Sequence, residues 1–119
     1  MLVTERSFEV PRPPAAVLDY LKDFANAEEW DPGTVTCVQR GDAAVGVGTV
    51  WDNVSKIKGH ETKLRYELTR LESERVTFVG TNSASCSTDD IRVVASDSGG
   101  STATYRSEIE LTGIWKLAP

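Results

Sequence analysis

A single histidine and two cysteines in 119 residues exclude much of the common chemistry. His60 follows Gly59 in a turn-forming step, where an exposed loop role is the base expectation. No Cys, His or Asp spacing matches a zinc or iron site, so no metal and no other cofactor is predicted. Cys37 and Cys86 can close at most one bridge, and without an export signal both are expected as reduced, partly buried thiols. Ser85-Cys86-Ser87 falls in a strand with no base evident beside it, which argues against a nucleophilic thiol. Long apolar runs are also missing: no window approaches the roughly 18 residues of a transmembrane helix. Met1 to Arg6 lacks the basic-then-apolar order of a signal peptide, so a cytoplasmic protein without membrane insertion is expected. Positive charge is scarce as well. Thirteen Lys and Arg against 18 Asp and Glu leave a net charge of −5, which removes the electrostatic basis for a nucleic-acid partner.

What is present suffices for one core, and the length predicts a single domain over residues 1–119. A first strand, Leu2 to Val10, alternates Val3, Glu5 and Ser7 against Leu2, Thr4, Arg6, Phe8 and Val10. It stops at Pro11, and Pro13 and Pro14 suit a first helical turn, where a missing N–H costs nothing. Val17, Leu18, Leu21, Phe24 and Ala25 then recur at helical spacing, and a short second turn ends at Trp30-Asp31-Pro32-Gly33.

Beyond Gly33 the period becomes two. Strands are predicted near Thr34–Arg40, Val47–Lys58, Glu61–Leu71, Arg75–Asn82, Ser85–Ala95 and Thr102–Thr112, separated by turn chemistry such as Lys58-Gly59-His60 and Asp97-Ser98-Gly99-Gly100. Gly46-Val47-Gly48 opens a strand rather than a helix, so it reads as a bulge or close backbone approach, not a phosphate loop. Leu64, Tyr66 and Leu68 oppose Lys63, Arg65 and Glu67, the pattern of an antiparallel sheet with one wet face. On the third strand the face of Thr49, Trp51, Asn53, Ser55 and Ile57 is assigned inward, because the other carries Asp52 and Lys56. Adjacent strand residues point oppositely, so only one of Asp89 and Asp90 can face the interior. An inward carboxylic acid could serve as a general acid; an outward one would be solvated or would pair with Arg106 or Arg92. Asp31 is expected to make a local turn hydrogen bond.

One short helix cannot cover seven strands, and a large apolar face is rarely left open on a soluble monomer. The Pro-Pro-initiated helix at Val10–Leu21, the Trp30-Asp31-Pro32-Gly33 turn, Gly46-Val47-Gly48-Thr49, and the segment from Gly100 through Glu108-Ile109-Glu110-Leu111-Thr112-Gly113 resemble the START-like (SRPBCC) superfamily. The likeness is greatest to bacterial polyketide cyclase/dehydrase-type members. The resemblance implies an α+β helix-grip fold: a seven-stranded curved antiparallel sheet, with one helix or two short ones inserted after strand 1. In the family that sheet wraps a long C-terminal helix, which this chain lacks. The expectation is therefore a C-terminally truncated chain or a partner that supplies the cover, and self-association through the uncovered apolar face.

The implied function is binding of a small hydrophobic or amphipathic ligand of lipid, polyketide or isoprenoid type in a cavity between sheet and helix. A polyketide cyclase- or dehydratase-like enzyme and a protein-interaction module are the alternatives. The aromatic set Trp30, Trp51, Tyr66, Phe78, Tyr105 and Trp115 falls on the helix exit and on strands, where amphipathic rings can line a pocket. Trp30, Trp51, Asn53, Tyr66, Phe78, Tyr105 and Ser107 are the predicted ligand-binding residues, with no catalytic residue assigned.

Overall fold

A computed structural model describes residues 1–57 and 59–111. Lys58, Thr112 and Trp115, which the sequence places at two strand ends and in the aromatic set, lie outside the described residues. Strand β1 (Leu2–Val10) leads into helix α1 (Pro14–Leu21), a 3-10 turn (Phe24–Asn26) and helix α2 (Ala27–Trp30). Six strands follow: β2 (Thr34–Gln39), β3 (Val50–Ile57), β4 (His60–Glu72), β5 (Arg75–Thr81), β6 (Ser85–Ala95) and β7 (Ser101–Leu111). They form one seven-stranded antiparallel sheet in the order β1-β7-β6-β5-β4-β3-β2. Hairpins connect β2 through β7, and β1 closes onto the last strand. Among the described residues no helix follows β7.

The helical stripe breaks sooner than its spacing predicts. After Leu21 the chain leaves the α-helix, and Asp23 turns extended (φ −86°, ψ 101°) so that its carboxylate accepts the Ala25 N–H at 3.1 Å. This local cap competes with continued helix and starts the 3-10 turn. Phe24 still enters the core, its ring centroid 4.3 Å from Phe78 and 4.5 Å from Tyr66.

The third strand also starts later than predicted, at Val50 rather than Val47. Gly46 to Thr49 forms a turn instead, held by Gly46 N–H to Thr49 Oγ1 (2.9 Å) and Thr49 N–H to the Gly46 carbonyl (3.0 Å). Gly48 sits at φ 98°, where glycine is unstrained, and its N–H reaches the Leu68 carbonyl at 2.8 Å beside a register shift in β4.

Period-two alternation sets the inner face. Trp51 and Asn53 on β3, Leu64, Tyr66 and Leu68 on β4, and Val76 and Phe78 on β5 are all buried there. Gly80 completes that face for a steric reason: a Cβ on it would lie 2.5 Å from Cζ of Tyr66, whose ring takes the space. The helices and the 3-10 turn cover this half of the sheet. Among the described residues the β1 side of the same face stays open, with Leu2 64% and Phe8 49% exposed against 0% for Leu68.

Candidate functional site

A cavity of about 800 Å³ occupies that open half, between the helices and the β1-β7-β6 rows. Thr4, Arg6, Phe8 and Val10 of β1 form one wall, because the strand's alternation sends these four inward together. Val17, Tyr20 and Leu21 of α1 form the opposite wall, and Trp30, Asp31 and Pro32 close one end. The floor is Ile91, Tyr105 and Ser107. Tyr20 ties the two helices together by donating its hydroxyl to the Glu29 carboxylate. That hydrogen bond, with smaller contributions from burial and the Glu29 charge, pushes its pKa up to about 12.

A few polar groups stand in this largely apolar enclosure. Trp30 packs edge-on against Tyr105 (centroids 5.7 Å apart), and its indole Nε1–H is buried with no hydrogen-bond partner among the described residues. Such an orphaned donor is uncommon and costly unless something else satisfies it. Asp31 is fully engaged locally, as its place before Pro32 predicts: Oδ1 accepts from Gly33 N–H (3.1 Å) and Oδ2 from the Thr34 hydroxyl (3.0 Å).

Of the adjacent acids, Asp89 turns inward and Asp90 outward. Asp90 pairs neither with Arg106 nor with Arg92. It takes a two-pronged bond from Arg75 (2.8 and 2.9 Å) and a third from Thr77 at 2.9 Å. Arg75 sits diagonally across on β5, where its fork meets the carboxylate squarely. Partial burial opposes ionisation of Asp90, but these donors hold its pKa below the ordinary value.

Asp89 is 4% exposed, on β6 between Phe78 of β5 and Ser107 of β7. No cation pairs with it among the described residues, and the Ser87 hydroxyl donates to it at 3.4 Å. Burial raises its pKa from 3.8 to about 6, against the pull of the Tyr105 hydroxyl and with help from the Asp31 charge. The same burial, reinforced by Asp89, drives the Tyr66 and Tyr105 hydroxyls well above their usual range. Cys37 is buried, and desolvation pushes its thiol up to about 11, away from nucleophilic chemistry.

The residues singled out from sequence divide into two groups. Trp30, Tyr105 and Ser107 line the cavity. Trp51, Asn53, Tyr66 and Phe78 share its face of the sheet but are buried in the packed half, the three rings against Phe24. There Trp51 Nε1–H donates to Asp23 (3.3 Å), and Asn53 Oδ1 accepts from the Ser55 hydroxyl (2.7 Å). Sequence reasoning passed over the β1 wall and the inner face of α1. The alternation of Thr4, Arg6, Phe8 and Val10 contained the signal, but which strands the helices leave uncovered is a matter of tertiary packing.

No curated protein sequence matches this chain. Several solved structures share its fold. The chain aligns with a START superfamily protein from Mycobacterium smegmatis at 11% identity and a TM-score of 0.74, covering 98% of this chain and 80% of that one. The Zhui aromatase/cyclase from Streptomyces sp. R1128 aligns at 12% identity and a TM-score of 0.75, over 94% of this chain and 69% of its own. The di-domain ARO/CYC BexL from the BE-7585A biosynthetic pathway aligns at 16% identity and a TM-score of 0.69, over 93% of this chain; the chain spans only 36% of BexL. The family profile described as polyketide cyclase / dehydrase and lipid transport matches residues 1–118, and the chain belongs to that family, with the curved sheet and N-terminal helices of its SRPBCC relatives.

Proposed function

We propose that this chain binds a small hydrophobic or amphipathic molecule, of lipid, polyketide or isoprenoid type, in the cavity between β1, β7 and the helices. The observation that carries this reading is the cavity itself. Its volume of about 800 Å³ suits a small organic ligand, and its walls are mainly apolar with few polar groups. A protein-interaction role needs no such interior. Native mass spectrometry of freshly purified full-length protein tests the reading, alongside melting curves with fatty acids and aromatic polyketides. A co-purifying small molecule or a ligand-dependent rise in Tm is expected; protein that is ligand-free and unresponsive throughout would count decisively against it.

A second reading, a cyclase- or dehydratase-like enzyme, is favoured by Asp89. A buried acid poised near neutral pH beside Tyr105 has the character of a general acid, and the cavity would orient the substrate. Turnover that survives both Asp89→Asn and Tyr105→Phe would eliminate this form of it. The open β1 side, with Leu2 and Phe8 exposed, is also the face through which two copies would associate.

A further inference from the structure

We infer that the ligand carries an anionic head, a carboxylate or a phosphate ester, and that Arg6 selects it. This rests on the ligand-binding reading above and deepens it.

The arginines carry the argument. Of the eight in the chain, Arg40, Arg70, Arg75 and Arg106 form ion pairs among the described residues. Arg65 and Arg92 stand in the fields of Asp52 and Asp90. Arg6 and Arg12 fall in neither group, and both line the cavity. In a chain with five more acids than bases, the two arginines with no ion pair among the described residues lie where a ligand would supply an anion.

Strand geometry keeps Arg6 from finding a partner within β1. Glu5 points to the opposite face and pairs with Arg106 at 3.5 Å, and Glu9, also on that face, accepts from Thr102 at 2.7 Å. The acids on the cavity side are no better placed. Asp31 has both oxygens occupied by Gly33 and Thr34. Asp89 lies two strands from β1, on the order of 10 Å away, with β7 between. Arg6 thus faces Tyr105 across the ladder, with Phe8 as its apolar neighbour on β1. A guanidinium beside an apolar trough matches a molecule with a planar or tetrahedral anion at one end and hydrocarbon behind it.

Calorimetric titration at pH 8 with octanoate, octyl phosphate and 1-octanol separates head from tail. An anion preference of about tenfold over the alcohol is expected, the scale of one charged hydrogen-bonding contact. The tighter of the two anions identifies the head. In Arg6→Gln the preference should fall towards parity while octanol affinity holds; Arg65→Gln, on the outer face, should keep it. Equal affinities in the unaltered protein, or a preference that survives Arg6→Gln, overturn the inference while leaving ligand binding intact. If none of the three probes binds, the anionic-head inference falls, and ligand binding is decided separately by the mass spectrometry and the melting curves with fatty acids and aromatic polyketides.

Discussion

Asp89 and Gly80 show how single positions set the properties of this protein. Burial raises the Asp89 pKa from 3.8 to about 6, so the folded state holds its proton more tightly than the unfolded chain. The stability it contributes is therefore complete below pH 3.8 and is lost as pH rises through about 6. A rise of that size corresponds to about 3 kcal/mol. Urea melts of Asp89→Asn should lack this decline, and the variant should gain on the unaltered protein between pH 4 and 7; parallel pH profiles would show that Asp89 is not buried as described. At Gly80 the expected loss is steric. Its added methyl meets the Tyr66 ring, so Gly80→Ala should cost about 1–3 kcal/mol in urea unfolding. Alternation in the sequence restricted the interior to one of Asp89 and Asp90, and the strand's faces decide between them: Asp89 lies with buried Ile91 and Val93, Asp90 with exposed Arg92 and Val94.

At the scale of elements, the strands were legible because half-buried strands write their faces as alternation, and β1 and β6 match the predicted bounds. The helical region was legible only as an amphipathic stretch. Its break at Asp23 depends on one carboxylate capping the 3-10 turn while also receiving the Trp51 indole N–H. Asp23→Ala removes both bonds at once and should destabilise the fold by about 1–2 kcal/mol, measured by chemical denaturation. Asp23→Asn retains an acceptor and should recover most of that loss. The aromatic positions illustrate the limit of pattern reading. Trp51 and Phe78 share a face of the sheet with Tyr105, yet the 3-10 turn drops Phe24 onto the first two and leaves the third at the cavity.

At the scale of the molecule, the helices among the described residues cover one half of a seven-stranded sheet and leave the other half concave and largely apolar. Ligand and a second copy of the chain would compete for that face. Sedimentation velocity should show association that weakens when octanoate is added; association indifferent to ligand would place the contact elsewhere. The central claim is that this concavity is a binding site, and Trp30 is its most direct reporter. Its indole N–H is orphaned at the cavity, whereas that of Trp51 is already bonded to Asp23. In ¹H–¹⁵N spectra titrated with octanoate, the account expects saturable shifts at the Trp30 indole and at the amides of Arg6, Phe8, Tyr105 and Ser107, with the Trp51 indole still. Spectra that do not move, or that move first at Trp51, would contradict it.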